Sequence, residues 1–188
     1  YNGIPVRNLR LLSPIDEYPE YETALCRFST GVIKEGQDVV IIGGGLGVST
    51  VKAANQAGEN GTVKTYEASE HRYKIAKNTI QLNQVNHIVD LNHAVIGHAN
   101  HVFNEIGEAP IVAAGDLPSK CDVLIMDCEG AELKILREME IRPNTIIVES
   151  HGVHGSPTSE VSEVLDGYDY QIIDTEPENK EKDVIVLK

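Results

Sequence analysis

The chain has 188 residues, 41% of them hydrophobic, enough for one sizeable core and one domain spanning 1–188. It carries 29 Asp and Glu against 16 Lys and Arg, a net charge of −13, and such a surface repels nucleic-acid phosphates and anionic membranes. The expected partner is therefore a small molecule, with no nucleic acid and no membrane.

No apolar run is long enough to span a bilayer. Cys26, Cys121 and Cys128 form neither a disulfide framework nor a C-x-x-C pair, and read as reduced thiols of a cytoplasmic protein. Residues 1–36 are punctuated by Pro5 and Pro14, and a helical pattern runs from about Glu20 to Val32. Tyr21 and Glu22 read as part of an amphipathic packing helix in this cover segment.

From residue 37 to 188 strands and helices alternate. Asp38–Ile42 is an apolar run suited to a strand buried on both faces. Ser49 is expected to cap a helix to about Ala57. Thr62–Tyr66 is a second strand, ending at Glu67. Ser69 can cap a helix to about Asn83, with Ile75, Ile80 and Leu82 among its apolar positions. Val89–Gly97 reads as a third strand, and residues 102–120 as a short strand or loop broken by Pro110 and Pro118. Asp122–Asp127, a helix over Ala131–Met139, Thr145–Glu149 and a helix over Thr158–Leu165 follow. Tyr170–Asp174 and Val184–Leu187 close the chain. Only a polar turn, Thr175–Asp183, separates those last two strands, so they should form an antiparallel hairpin. The expected class is α/β: a Rossmann-like, doubly wound, mostly parallel sheet with a C-terminal antiparallel hairpin.

Ligands of such sheets bind beyond the carboxyl ends of the strands. Gly43, Gly44, Gly45 and Gly47 follow the first strand, where the lack of a Cβ lets the backbone approach a ligand. Glu67 ends the second strand, about twenty positions further on, where a carboxylate can accept hydrogen bonds from both ribose hydroxyls of a nucleoside. A dinucleotide loop reads G-x-G-x-x-G/A, but here Val48 stands in the last place. That residue argues against a nicotinamide dinucleotide.

The G-x-G-x-G form resembles motif I of class I methyltransferases that use S-adenosylmethionine (SAM). Asp127-Cys128-Glu129-Gly130-Ala131-Glu132-Leu133 resembles the D-V-E-G-A-E segment of FkbM-type methyltransferases. The order of elements agrees as well: glycine loop, Tyr66-Glu67-Ala68, this segment, then Val148-Glu149. The similarity covers roughly Gln37 to His151. It implies SAM as cofactor, held by the four glycines, Glu67, Ala68 and Asp127, with His93 and Ala94 beside the adenine. It also implies methyl transfer, with oxygen as the acceptor atom. The departure is Ile41, which stands where the family carries an acid two positions before the first motif glycine. It keeps a second reading open, a non-catalytic nucleoside-binding domain.

Methyl transfer needs a nucleophile held in line with the methyl group and a base for its proton. Asp127, Glu129, Glu149 and His151 lie at the carboxyl ends of the fourth and fifth long strands and are the catalytic candidates. Asp127 is the first choice for the methionine end of SAM, and Glu129 for the acceptor or the base. Glu129 equally suits a structural role, bonding backbone N–H groups at the start of the Ala131 helix. His151 and His154 form an H-x-x-H pair, but in a glycine-containing loop, and no metal is expected. His87, His93, His98 and His101 read as surface residues rather than metal ligands. Acceptor specificity is expected from the variable loop at 100–120.

Overall fold

Every residue of Asp38–Ile42 is buried. A strand without a polar face must be covered on both sides, which puts it in the middle of a sheet between two helical layers. The computed structural model describes residues 1–7, 17–97, 107–178 and 182–187. In chain order these form α1 (Thr23–Val32), β1 (Asp38–Ile42), α2 (Val48–Ala57), β2 (Thr62–Glu67), α3 (Glu70–Leu82), β3 (Val89–His93), β4 (Val95–Ile96) and β5 (Ile111–Val112). There follow β6 (Val123–Met126), α4 (Glu132–Glu138), β7 (Thr145–His151), α5 (Thr158–Asp166), β8 (Ile172–Pro177) and β9 (Lys182–Leu187).

The main sheet has the order β3-β2-β1-β6-β7-β9-β8. The pairs β2–β3, β1–β2, β1–β6 and β6–β7 are parallel, and β9 runs antiparallel to both β7 and β8. This is the doubly wound sheet with a C-terminal hairpin that the sequence predicts, and β9 is the strand that enters the sheet. Strand order reverses between β1 and β6, so the carboxyl ends of these two strands flank the crevice where open α/β sheets bind ligands. Among the described residues no helix is long and apolar enough to cross a membrane.

Side-chain alternation sorts the core into two layers. Val39, Ile41, Val123, Ile125 and Ile147 pack with residues of α1 and α2. Val40, Ile42, Leu124, Met126, Ile146 and Val148 pack with residues of α4 and α5.

Three local expectations are corrected. The run Val89–Gly97 divides at Ala94: β2 ends at Glu67 opposite His93, and Val95–Ile96 then pair with Ile111–Val112 in a separate two-stranded sheet. Gly47, left-handed at φ 87°, takes the N-cap position of α2, and Ser49 lies buried inside the helix. A serine cap wants extended backbone, whereas this turn needs positive φ. Along α3, Ile75 and Ile80 are buried, and Leu82 at its end is 48% exposed. The hairpin strand β8 reaches Pro177, into the predicted turn, because Thr175 and Glu176 pair with Ile185 and Val184. Tyr170 stays outside the strand, with its ring buried and its hydroxyl donating to the Pro143 carbonyl.

Ser69 does cap α3, accepting from the Arg72 N–H at 3.3 Å. α1 has no cap from its own residues. Both oxygens of Glu178, just past β8, accept from the Thr23 and Ala24 N–H groups at 2.8 Å, which ties the hairpin to the N-terminal segment.

Ile147 is fully buried in the middle of β7. Ile147→Ala is expected to cost about 2–5 kcal/mol by lost burial and an unfilled cavity. The shift of the urea unfolding midpoint checks this, and a loss below about 1 kcal/mol would contradict the assigned core position.

Candidate active site

The glycine loop is held from three directions. The Gly43 and Gly44 N–H groups both donate to the Tyr66 carbonyl, at 2.9 and 3.1 Å. The Gly45 N–H donates to Glu67 Oε2 at 2.7 Å. On the other side, a Cβ at Gly43 would stand 1.7 Å from the Asp127 carbonyl oxygen, so only glycine lets the loop lie against the end of β6. A Cβ at Gly47 would meet the Ala76 backbone at 3.0 Å, so this glycine permits the close packing of α3.

Glu67 is buried, with 5% of its surface exposed. Its second oxygen accepts from the Ser69 N–H at 2.7 Å. Burial raises its carboxyl above the ordinary value, and the Ser69 and Gly45 N–H groups oppose that rise. Ala68 is half-buried beside it. His93 pairs with Glu67 across β2–β3, and the Ala94 N–H donates to the Glu67 carbonyl at 3.1 Å. The His93 ring stacks on Tyr73 with centroids 5.1 Å apart. The sequence-predicted cofactor residues thus share one edge of the sheet. His87 is a surface residue bonded to Glu59, and His98 and His101 lie outside the described residues, as does part of the predicted specificity loop.

Tyr21 and Glu22 lie in the turn before α1, not within it. They stand over the glycine loop, 3.5 and 3.4 Å from where a Gly45 Cβ would be. The Tyr21 hydroxyl hydrogen-bonds the Glu22 carboxylate. Burial is the main cause that pushes Glu22 up to about 7. Ile41, by contrast, is sealed in the apolar layer at 1% exposure. The carboxylate near the loop comes from the N-terminal segment instead of from β1.

The four catalytic candidates meet at the carboxyl ends of β6 and β7. His151 Nε2 lies 3.3 Å from Asp127 Oδ1, 3.3 Å from Glu129 Oε2 and 3.6 Å from Glu149 Oε1. The His151 and Glu149 side chains are buried, and those of Asp127 and Glu129 are 15% and 13% exposed. Glu129 has left-handed backbone, φ 53°, in a tight loop after β6. The next residue is Gly130, where a Cβ would strike His154 at 2.6 Å.

A fifth group belongs to this cluster and was not singled out from the sequence. Glu132, fully buried at the start of α4, accepts from His151 Nδ1 at 2.8 Å. The same oxygen accepts from the N–H groups of Cys128 and Gly130, at 3.1 and 3.2 Å. The helix-start role considered for Glu129 therefore falls to Glu132. Burial works to raise the Glu132 carboxyl, but the hydrogen bond and charge of His151 outweigh it and hold the group below its usual value. The signal in the sequence was the third acid of Asp127-Cys128-Glu129-Gly130-Ala131-Glu132. His154 stacks parallel to His151 at 6.0 Å, with Nδ1 3.8 Å from Glu129 Oε2. The three cysteines are free thiols, and burial pushes Cys26 and Cys121 up to about 12.

Residues 42–172 match the family described as the methyltransferase FkbM domain. The chain belongs to the FkbM methyltransferase family. SAM is the cofactor that this membership brings, and a buried carboxylate beside a close-packed glycine loop fits it. No curated protein sequence matches this FkbM methyltransferase. Among solved structures it is similar to a SAM-dependent methyltransferase from Aquifex aeolicus, at 18% identity and a TM-score of 0.56, over 88% of this chain and 87% of that one. It is similar to Aeropyrum pernix fibrillarin with natively bound SAM, at 12% identity and a TM-score of 0.58, over 89% and 74%. A putative rRNA-methylase from Clostridium thermocellum aligns at 13% identity and a TM-score of 0.59, over 88% and 95%. At such identities these likenesses concern the Rossmann-like fold.

The enclosed carboxyl of the half-buried Glu22 gives a pH prediction. Its value rises from 4.5 to about 7 on folding, so between these pH values the folded chain holds a proton that the unfolded chain releases. Its contribution to stability is complete below about pH 4.5 and is lost as pH rises through about 7. Glu22→Gln is expected to raise the melting temperature relative to the parent at pH 8 and to change it little at pH 4.5. Equal shifts at both pH values would contradict the assignment.

Proposed function

We propose that this FkbM methyltransferase methylates a hydroxyl oxygen of a small, polar, sugar-like acceptor held against Asp127, Glu129, Glu149 and His151. The observation that carries the reading is the cluster of His151 with four carboxylates at the ends of β6 and β7, on the sheet edge that also carries the glycine loop. Bound SAM supplies a methyl on a sulfonium: the acceptor oxygen forms the new C–O bond while the C–S electron pair returns to sulfur, leaving S-adenosylhomocysteine.

The residues divide the remaining work. Gly43, Gly44, Gly45 and Gly47 let the backbone approach the cofactor, and Asp127 attracts its cationic methionine end. Glu67, with Ala68 beside it, uses its remaining lone pairs for the ribose hydroxyls. His93 and Ala94 flank the adenine. Glu22, over Gly45, serves the loop in place of the acid missing at Ile41. Glu129 and Glu149 face the acceptor and take its proton as the C–O bond forms. Glu132 positions His151 through Nδ1.

The charge of −13 favours a small acceptor over a polynucleotide. The fold alone does not choose, since it is shared with a protein named as an rRNA-methylase.

Calorimetric titration with SAM tests the cofactor half, with one-to-one binding expected. Glu67→Ala should weaken that binding at least about 10-fold, as expected for loss of charged hydrogen bonds. Unchanged affinity in a folded variant would remove Glu67 from the ribose site. Formation of S-adenosylhomocysteine across a panel of hydroxylated small molecules tests the acceptor half. Glu149→Gln should lower kcat at least about 100-fold while leaving SAM affinity within about 2-fold. Turnover confined to amine acceptors would overturn the oxygen assignment.

A further inference from the structure

We propose that Asp127, Glu129 and His151 form a binding site for a divalent transition-metal cation of the Mn2+ or Zn2+ class. One ligand atom from each lies within 4.8 Å of the others. His151 Nε2 is 3.3 Å from both carboxylate oxygens. Atoms bound about 2.1 Å from one ion stand about 3.0 Å apart in octahedral and about 3.4 Å apart in tetrahedral geometry. The observed spacing falls between the two.

His151 supplies the independent observation. The residue is fully buried, and Nε2 makes no hydrogen bond. Its other nitrogen is committed to Glu132 at 2.8 Å. An ionised carboxylate only accepts, so Nδ1 donates to Glu132 and Nε2 is the nitrogen that faces the Asp127 and Glu129 oxygens. Three electronegative atoms gathered this closely out of water are stabilised by a positive charge among them, which a cation bound by all three supplies. A buried carboxylate behind the imidazole is also the arrangement that orients a metal-binding histidine.

Charge balance points the same way. Asp127, Glu129, Glu132 and Glu149 all have an oxygen within 3.6 Å of His151. Buried charge on this scale requires compensation, and a divalent cation compensates more of it than one imidazolium. An imidazole among the ligands favours Mn2+ or Zn2+ over Mg2+ or Ca2+, which prefer oxygen donors.

What the cation would do rests on the proposed function. It would hold the acceptor hydroxyl at an open coordination position and ease loss of its proton, leaving Glu149 to receive that proton.

The test is calorimetric titration of chelator-treated protein with MnCl2, ZnCl2 and MgCl2 alone, with SAM titrated into the same preparation. One equivalent of Mn2+ or Zn2+ is expected to bind, at least about 10-fold tighter than Mg2+. His151→Gln should abolish the binding and Glu129→Gln should weaken it at least about 10-fold, each checked for folding by circular dichroism. Should His151→Gln fail to fold, Glu129→Gln decides. Folded protein that takes up neither Mn2+ nor Zn2+ at about 1 mM overturns the inference, as does undiminished binding in a folded Glu129→Gln variant. SAM binding without cation uptake overturns the cation site alone. Cation uptake without SAM binding supports the site and counts against the proposed function.

Discussion

The Glu132 carboxylate joins two segments that are distant in sequence. One of its oxygens accepts from the Cys128 and Gly130 N–H groups, which closes the loop after β6, and from His151 Nδ1, which fixes the end of β7. α4 therefore starts without a cap from its preceding residue, and the acid of its first turn shapes the loop instead. Hydrogen bonds to a charged group contribute about 1.5–3 kcal/mol each, and a buried partner left unmatched costs a similar amount. The positions of Asp127, Glu129 and His151 relative to one another all depend on this group. Ser156 reinforces the arrangement by donating to the Gly130 carbonyl at 3.0 Å.

A parallel sheet explains why the remaining parts gather on the same edge. All its strands end on one side, so the loops that follow β1, β2, β3, β6 and β7 emerge together. Their fine placement is a matter of close approach. Gly43 lies against the Asp127 carbonyl, and Glu67 ties Gly45 to Ser69 at the start of α3. The glycine loop, the Glu67 carboxylate and the loop after β6 are thus mechanically one unit.

The N-terminal segment completes that edge from outside the sheet. Glu178 caps α1 from the end of β8, and the turn ahead of α1 carries Tyr21 and Glu22 over Gly45. Burial of the Glu22 carboxyl raises it to about 7, so its charge changes near neutral pH. The C-terminal hairpin reaches the same edge directly, where Asp183 and Lys182 of β9 pair with Ser150 and His151 at the end of β7.

Periodicity and turn chemistry made the architecture legible. Apolar runs such as Asp38–Ile42 and Asp122–Met126 admit only a doubly covered strand, and the absence of room for a helix between the last two strands requires a hairpin. The glycine loop, Glu67 and the Asp127–Leu133 segment marked the candidate site because their spacing is local. The division of Val89–Gly97, the entry into α2 at Gly47 and the exposure of Leu82 were not legible, since each depends on where a neighbouring element ends or packs. The same holds for Glu132, Glu22 and the convergence on His151. Sequence by itself determined which strands form and which residues stand at their carboxyl ends, because those follow from local pattern. Only the tertiary structure decided which side chains meet there, because burial, charge and hydrogen bonding between Glu132 and His151 act across nineteen residues of chain.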